Sequence, residues 1–552
     1  MRTTIAAFGM LVWAGVVTAQ EHPSDTLLTV DRYLDFETVG EPKVSPDGAQ
    51  VVYTRRSVDK MKDDFESALW IMNADGSRQR FLVKGSNALW SPDGSRIAYL
   101  AEGDPGGPQI YVRYMDVEGA TIKVTRGQQA PGNLHWSPDG RWIGFSMFVP
   151  STPQWKIDLP AAPAGAQWTK APRLVESLHY RADRRGFLET GFVHLFMVPA
   201  TGGTPRQTTK GDWSVGARAV GIPGGVSWDW LPDGKAVVVE GNDDPKADLQ
   251  YRLSNIYRVD VGTGERRRLT SAAGFWTNPV VSPDGKLIAY TGRPDVEDTY
   301  RTATLYTMVV DGSGNTSHTP MLDRDPASVT WATDSKGLYF TAEDQGTSNL
   351  YYVALGSAPR QLTTGTHMLN QPSIARNTTA FAVRTNFHTP PDIVRIDLKK
   401  PSSITQLTEV NTDLLTGTRL SEVEEIWYTS TGGTRVQGWI VKPPSFDPAK
   451  KYPLIMEIHG GPHGMYNVAF SYMYQNFAAN GFVVLYTNPR GSTGYGSAFG
   501  NAINKAYPSV DYDDLMAGVD SVVGRGYIDT RSMYVGGCSG GGVLSSWVIA
   551  HT

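Results

Sequence analysis

Short apolar segments alternate with tight-turn signals along the first two thirds of the chain. Segments such as Arg96–Leu100 and Leu287–Thr291 each follow a Pro-Asp-Gly turn, and a second apolar segment and a second turn come after them. Runs of this length are typical of strands rather than helices. The 58 glycines, 25 tyrosines and 15 tryptophans among 552 residues fit many short strands joined by tight turns. The pattern predicts an all-β N-terminal part.

One turn phrase recurs at regular intervals in this part. Its copies are Val44–Gly48, Trp90–Gly94, Trp136–Gly140, Trp230–Gly234, Val281–Gly285 and the degraded Trp331–Ser335. The prolines of the five complete copies lie 46, 46, 94 and 51 residues apart. Proline presets φ, aspartate bonds its own backbone and glycine accepts positive φ, so we interpret every copy as a turn without chemistry. Units of about 45 residues with several short strands are typical of propeller blades, and we predict about seven of them.

The long interval contains an insertion, residues 150–191, inside the third unit. It is rich in Pro, Ala and Arg, and it is either a substrate-gating loop or a surface decoration. Two acidic pairs elsewhere in the repeats, Asp243–Asp244 and Asp323–Asp325, lack the spacing of an EF-hand. We therefore favour solvated loop carboxylates over a calcium site, and we expect no metal.

Toward the C-terminus, strand-like and helix-like segments begin to alternate. Two runs, Tyr452–Ile458 and Phe482–Thr487, are too apolar for half-exposed strands. The segment Ser509–Gly526 has its apolar residues on one helical face, and Met533–Val535 is predicted as a third strand. Strands that alternate with helices predict an α/β layer across residues 416–552.

A glycine-rich turn, Gly536–Gly542, connects the third predicted strand to an apolar helix. A strand, a glycine-flanked residue and a helix in this order are the pattern of the nucleophile elbow, which exposes its central side chain above the sheet. Two frames have glycines two residues on either side of the centre, one centred on Ser539 and the other on Cys538. The spacing indicates a hydrolase nucleophile and leaves serine and cysteine both open.

A second motif, His459–His463, directly follows the buried run that ends at Ile458. The loop at this place in an α/β-hydrolase supplies an N–H group to the oxyanion hole. One such donor is typically worth about 10²–10³ in turnover. A lone elbow pattern is common by chance, but two motifs in this order favour an active site over a glycine-rich turn. We interpret His463 as a hydrogen-bonding loop residue rather than a base.

Two residues near the end of the second buried run are candidates for the border of a substrate pocket. Arg490 and Tyr495 lie in a glycine-rich segment there. For Arg490 we favour a structural ion pair with Asp513 or Asp514. The glycines of this segment do not have the spacing of a dinucleotide-binding loop, and no cofactor is expected.

The N-terminus has the pattern of a secretory signal. Arg2 supplies the positive charge, Ile5–Val17 the apolar core and Val17–Ala19 a small-residue cleavage site. Because the apolar run is shorter than the ~20 residues that span a bilayer, we predict cleavage of residues 1–19 rather than an anchor. Cys538 is the single cysteine, so no disulfide forms within the chain, which fits a large periplasmic or extracellular enzyme. The net charge of -4 gives no reason to expect nucleic acid or an anionic membrane as a partner.

Taken together, these motifs resemble the prolyl-oligopeptidase family of serine peptidases. The resemblance rests on the propeller repeats followed by His459–Pro462, Asn488–Gly496 and Gly537–Gly541, and it covers nearly all of the mature chain. The amino-acid sequences of these motifs are most similar to those of the acylaminoacyl-peptidase and dipeptidyl-aminopeptidase branch. It implies a β-propeller at 20–415 that caps an α/β-hydrolase domain at 416–552 and restricts substrates to short peptides.

The resemblance also assigns roles to residues. It implies Ser539 as the nucleophile and the N–H groups of Gly461 and Gly540 as the oxyanion hole. The implied function is a secreted serine exo- or oligopeptidase that cleaves peptide amides through an acyl-enzyme, without a cofactor. The alternatives are an esterase on the same machinery and a propeller binding protein without catalysis.

The catalytic triad of this fold follows the chain order serine, acid, histidine. No Asp or Glu follows Ser539, and His551 lies 12 residues along the next helix. At 1.5 Å per residue that is about 18 Å, too far for contact with Ser539. We expect the acid and the histidine to lie beyond this sequence, which would leave the hydrolase domain incomplete at its C-terminus and these 552 residues inactive.

Overall fold

The computed structural model describes residues 26–151, 160–169, 172–183, 185–219, 222–223, 225–250 and 252–552. The predicted signal segment, 1–19, lies outside these residues. Within the described ranges the chain is rich in antiparallel sheet up to residue 406, and strands alternate with helices from residue 423 onward. No helix of the described ranges is both long and apolar enough to cross a membrane.

The N-terminal part consists mainly of antiparallel units of four or five strands, and seven such units of the described residues are numbered here sheets 1 to 7 along the chain, the last two being halves of one eight-stranded sheet. Sheets 1 to 3 comprise Thr38–Val44, Gln50–Asp59, Asp64–Asn73 and Arg80–Lys84; Ser86–Trp90, Arg96–Glu102, Pro108–Tyr114 and Thr121–Lys123; and Pro131–Trp136, Trp142–Pro150, Gly191–Pro199 and Arg206–Gln207. Sheets 4 and 5 comprise Ser214–Val215, Trp228–Trp230, Ala236–Asn242, Asn255–Asp260 and Arg266–Arg268; and Gly274–Val281, Leu287–Pro294, Thr304–Val309 and Thr316–Ser317. Sheets 6 and 7, joined through a Ser348–Met368 bridge, comprise Pro326–Trp331, Gly337–Asp344, Thr347–Ala354 and Arg360–Gln361; and Met368–Ala375, Thr379–Asn386, Thr389–Asp397 and Ile404–Gln406.

The recurrent phrase forms the turn between the first and second strands of a sheet. In its first copy the Ser45 hydroxyl donates to Asp47 Oδ1 at 2.5 Å, and the Ala49 N–H donates to the same oxygen at 3.0 Å. Gly48 closes the turn with a φ of 77°, in the left-handed region that favours glycine. The carboxylates of these turns are therefore used locally.

Three of the four tryptophans that precede these turns connect neighbouring sheets, which the sequence pattern did not indicate. The Nε1–H groups donate to backbone carbonyls of the preceding sheet: Trp90 to Lys43 at 2.9 Å, Trp136 to Leu89 at 3.0 Å and Trp331 to Val280 at 3.0 Å. Each bond joins the first strands of two successive sheets. In these three copies the repeated phrase therefore provides both the turn and a hydrogen bond to the preceding sheet.

Buried apolar residues fill the spaces between successive sheets. Residues of sheets 1 and 2, such as Leu69 and Ile97, share one cluster, and similar clusters join each later pair of sheets in turn. One further cluster joins sheet 7 to sheet 1, with Phe381 and Ile393 packed against Val51 and Tyr53. The order of contacts is therefore cyclic.

The indole bonds give a measurable contribution to stability. We expect Trp331→Phe to lower the free energy of unfolding by about 1–2 kcal/mol more than Trp230→Phe. Both side chains are buried, but the Nε1–H of Trp230 has no hydrogen-bond partner in the described structure. Urea unfolding of the two variants measures the difference. Equal losses would show that the indole bond contributes nothing beyond ring volume.

The C-terminal part is a five-stranded mixed sheet with helices. Its strands are β1 (Val423–Thr429), β2 (Arg435–Val441), β3 (Tyr452–Ile458), β4 (Val483–Asn488) and β5 (Ile528–Gly537), in the order β1-β2-β4-β3-β5. Its helices are α1 (Tyr472–Ala479), α2 (Ser497–Gly500), α3 (Val510–Val523) and α4 (Gly540–His551). β3 runs parallel to both β4 and β5, so the carboxyl ends of these three strands meet at one edge. The predicted strands and amphipathic helix are confirmed here, although β5 is longer than the predicted Met533–Val535.

The remaining short elements of the described chain lie outside these layers. They are the 3₁₀ helices Val30–Asp35, Thr431–Gly433 and Asn501–Ile503, the short helix Thr412–Leu415, the parallel pair Thr26–Leu27 and Thr418–Arg419, and the hairpins Arg181–Ala182 with Gly186–Phe187 and Arg218–Ala219 with Ile222–Pro223. The insertion at 150–191 leaves sheet 3 between its second and third strands. Phe36 stacks on Phe470, and Asn476 donates to the Leu28 carbonyl at 2.8 Å, so the N-terminal residues lie against the α/β part.

Candidate active site

Ser539 lies at the apex of the turn between β5 and α4. Its φ of 58° and ψ of -118° place it in the positive-φ region, which is uncommon for residues other than glycine. The side chain is exposed at the carboxyl edge of the sheet, and the preceding Cys538 is exposed as well. The strained turn thus presents Ser539 between a strand and a helix, as a nucleophile elbow does.

The glycines two residues on either side of Ser539 are required by close backbone approach. A Cβ on Gly537 would lie 2.7 Å from the Gly541 carbonyl oxygen, and a Cβ on Gly541 would collide with the carbonyl oxygen of Ile458. Neither obstacle is a side chain that could move aside. These contacts explain why glycines are needed two residues before and two residues after Ser539.

The loop after β3 packs against the elbow. A Cβ on Gly460 would lie 3.4 Å from Ser539 Cβ, and a Cβ on Gly540 would lie 3.1 Å from the backbone N and C atoms of Gly461. Gly461 has a φ of 129°, a backbone conformation that residues with a side chain rarely adopt. The backbones of Gly461 and Gly540 are thus adjacent and next to Ser539.

The histidines around the elbow are engaged in other contacts. His459 bonds Ser492 Oγ at 2.9 Å through Nε2 and the Gly460 carbonyl at 2.9 Å through Nδ1, and burial lowers its pKa. His463 Nδ1 donates to the Gly491 carbonyl at 2.9 Å, and burial, then the charge of Arg293, lowers the pKa of His463. The loop role predicted for His463 agrees with this bond.

Tyr507 is a residue of this site that the sequence analysis missed. Its hydroxyl donates to the Gly540 carbonyl at 2.8 Å, at the start of α4. No motif surrounds Tyr507, and 32 residues separate it from Ser539. Only the packing of the loop before α3 against the elbow brings it to the site.

The two substrate-pocket candidates have structural partners. The Arg490 guanidinium forms a two-pronged ion pair with Asp514, whose side chain is fully buried, with Nη2–Oδ1 at 2.7 Å and Nε–Oδ2 at 2.9 Å. The ion pair favoured from sequence is therefore present with Asp514. The Tyr495 hydroxyl accepts from Asn488 Nδ2 at 2.7 Å and donates to Gln437, and burial raises its pKa. Both side chains are held by the domain itself.

The loop between the second and third strands of sheet 5 brings a tyrosine, Tyr300, close to the loop after β3. The Tyr300 ring lies 5.2 Å from the His463 ring, centroid to centroid, and its hydroxyl donates to Asp325 Oδ2 at 2.6 Å. Asp323 accepts from the Ser497 hydroxyl at 2.8 Å, across the boundary between the two parts. Asp323 is an exposed loop carboxylate, as predicted, and the sequence did not indicate that tertiary contacts use it and Asp325.

The other acidic pair of the repeats also has a protein partner. Asp243 accepts from Arg266 Nε at 2.9 Å and from the Tyr257 hydroxyl at 2.7 Å. Within the ranges that the structure describes, no group of three or more His, Cys, Asp or Glu side chains could hold a metal ion.

Comparison with known proteins identifies relatives along most of the chain. Residues 468–552 match the family model described as the prolyl oligopeptidase family. An uncharacterized peptidase of Bacillus subtilis, YuxL, is 28% identical over 550 residues, which span 95% of this chain and 80% of that protein. Dipeptidyl-peptidase 5 of Porphyromonas gingivalis is 27% identical over 548 residues, which span 95% of this chain and 77% of that protein.

Solved structures share the fold. Acylaminoacyl peptidase of Pyrococcus horikoshii superposes with a TM-score of 0.76 at 20% identity, over 94% of this chain and 76% of that one. An acylaminoacyl peptidase in complex with Z-Gly-Gly-Phe-chloromethyl ketone gives a TM-score of 0.78 over the same shares. With the motifs of the elbow and of the loop after β3, the match of residues 468–552 identifies the C-terminal part as that of a serine-type peptidase of the prolyl oligopeptidase family.

Proposed function

We propose that Ser539 is the nucleophile of this peptidase and that it forms an acyl-enzyme with the substrate. The observation that carries the proposal is the conformation of Ser539, exposed at positive φ between two glycines that cannot carry a side chain. In the first step Ser539 Oγ bonds to the substrate carbonyl carbon, its proton passes to a general base, and the peptide nitrogen leaves as an amine. Water then releases the acyl group as a carboxylic acid.

The oxyanion that forms in each step needs donors that are already in place. We propose the backbone N–H groups of Gly461 and Gly540, because their backbones are adjacent beside Ser539. Fixed donors of this kind cost no reorganisation when the charge develops, and one is worth about 10²–10³ in turnover. Arg490 and Tyr495 are left out of the proposed site, because Asp514 and Gln437 engage them.

We infer that the seven sheets form a closed propeller of seven blades that covers the active site. The cyclic order of the apolar clusters supports this, since sheet 7 packs against sheet 1. The Tyr300–His463 contact supports a placement of the propeller next to the loop after β3. A narrow cover of this kind would admit short peptides and exclude folded proteins.

The substrate class we favour is short peptides cleaved near their N-terminus. The names of the relatives support it: dipeptidyl-peptidase 5 recurs among those with 24–30% identity, and the similar solved structures include acylaminoacyl peptidases. We further propose that the protein acts outside the cytoplasm, on the basis of the signal pattern at residues 1–19.

Substrate profiling of the native protein tests this function. We expect dipeptidyl or acyl-aminoacyl amides of a coumarin dye to be cleaved with release of the dye, together with covalent labelling by a fluorophosphonate. Faster cleavage of a free-amine dipeptide than of its acetylated form would support a dipeptidyl-peptidase, and the reverse order an acylaminoacyl peptidase. Cleavage of simple esters alone would indicate an esterase. A protein that neither labels nor cleaves would contradict the proposal and leave a binding role for the propeller.

A further inference from the structure

We propose that Tyr507 is a positioning residue for the nucleophile: its hydroxyl holds the first turn of α4, and with it Ser539 and Gly540, in the reactive arrangement. The inference rests on the proposed function and adds to it a residue that no motif marks. Tyr507 acts through the backbone of Gly540 and does not itself react.

Tyr507 lies where the elbow meets the loop after β3. Its Oη is 2.8 Å from the Gly540 carbonyl oxygen, and Gly540 is buried. A Cβ built on Gly540 would lie 3.1 Å from Tyr507 Oη and 3.1 Å from the backbone of Gly461. The phenol and the two backbones that are proposed to bind the oxyanion thus converge on one point.

The start of α4 has an unusual need for such a contact. Its first three residues, 540–542, are all glycine, and glycine loses the most conformational entropy when it is ordered. The side chain of Ser539, at the N-cap position, makes no capping bond. The backbone next to the nucleophile is therefore the part of the helix whose ordering costs the most conformational entropy per residue.

Side-chain hydroxyls donate hydrogen bonds to the carbonyl oxygens of all three glycines. Ser545 donates to Gly541 at 2.7 Å and Ser546 donates to Gly542 at 3.0 Å, both from the next turn of the same helix. Tyr507 alone among these three donors comes from outside α4. Of these three hydroxyl bonds, only that of Tyr507 ties the turn to another part of the domain, because a donor within α4 moves with the helix.

The chemistry of Tyr507 suits a permanent donor. Burial, then the charge of Asp511, raises the pKa of Tyr507 to about 12. The phenol therefore keeps its proton at every pH at which a peptidase of this kind works. A positioning role predicts that the pH profile keeps its shape when the hydroxyl is removed.

The test compares Tyr507→Phe with Ser546→Ala in the native protein. Loss of one neutral hydrogen bond corresponds to a factor of roughly 5–10 when it acts on the transition state. We expect Tyr507→Phe to lower kcat and the rate of fluorophosphonate labelling by that factor, with KM changed less than about twofold and the pH profile unmoved. Ser546→Ala, which removes a bond to a glycine carbonyl from within α4, should leave the labelling rate unchanged.

Hydrogen–deuterium exchange of residues 538–544 separates this inference from the proposed function. We expect faster exchange there in Tyr507→Phe than in the wild type, whether or not the protein proves to be a peptidase. Unchanged exchange and labelling would overturn the positioning role while the wild type still labels. A labelling loss of equal size in Ser546→Ala, or a shifted pH profile in Tyr507→Phe, would also overturn it.

Discussion

Replacement of Ser539 by alanine is expected to abolish covalent labelling and to lower peptide turnover by about 10⁶-fold, the loss seen when a nucleophilic serine is removed. Without Oγ the acyl-enzyme cannot form, and only binding and the oxyanion donors remain to assist water. Since Ser539 is exposed and its side chain makes no capping bond, the free energy of unfolding should change little. Labelling of the native protein and of the variant, followed on a gel and by mass spectrometry, measures the effect.

The neighbouring cysteine provides the matched control. Cys538 is exposed and is the centre of the alternative glycine frame. We expect Cys538→Ala to keep activity within about threefold of the wild type, because its side chain is not the one that the strained residue presents. Loss of labelling in Cys538→Ala with retention in Ser539→Ala would assign the nucleophile to the cysteine.

The second large effect is expected at Gly541. A Cβ there would collide with the Ile458 carbonyl oxygen and come within 3.1 Å of the His459 carbonyl oxygen, and these backbone oxygens cannot move without displacing the end of β3 or the loop after it. The elbow must then shift, and a displacement of 1 Å at a reacting atom costs about 10²-fold in rate. We expect Gly541→Ala to lose at least that factor in labelling rate and to unfold at a lower urea concentration.

Gly542 is the control for the same substitution one residue further on. A Cβ on Gly542 would meet only the Gly537 carbonyl oxygen, at an ordinary 3.5 Å. Because alanine favours helix over glycine by about 1 kcal/mol, Gly542→Ala should be as stable as the wild type or slightly more stable. If both variants labelled at the wild-type rate, the close packing of the elbow on β3 would have no catalytic consequence.

Local chemistry explains what could be predicted from the sequence. The Ser-Pro-Asp-Gly turns are closed by bonds within five residues, as in Ser45–Ala49, and the following strands have runs of buried apolar residues. The glycines around Ser539 are also a local signal, because the turn from β5 into α4 is short. These features need no knowledge of what packs nearby.

Local sequence patterns could not predict the contacts between segments that are far apart in the chain. Asp323 and Asp325 lie in a loop of the repeats, yet Ser497 and Tyr300 use them at the boundary between the two parts. Nothing near Asp323 in the chain indicates a partner 174 residues away. The same holds for Tyr507, whose importance depends on Gly540.

Turn propensity, apolar periodicity and glycine spacing act over a few residues, so they were enough to predict the repeated all-β part, the α/β part after it, the elbow motif and the loop motif after β3. Long-range packing sets which sheets meet and which indoles link them, namely those of Trp90, Trp136 and Trp331. It also places Gly461, Tyr507 and Tyr300 beside or near the elbow. Those placements arise from burial of apolar surface between elements far apart in the chain, and no local pattern specifies which buried faces will come together.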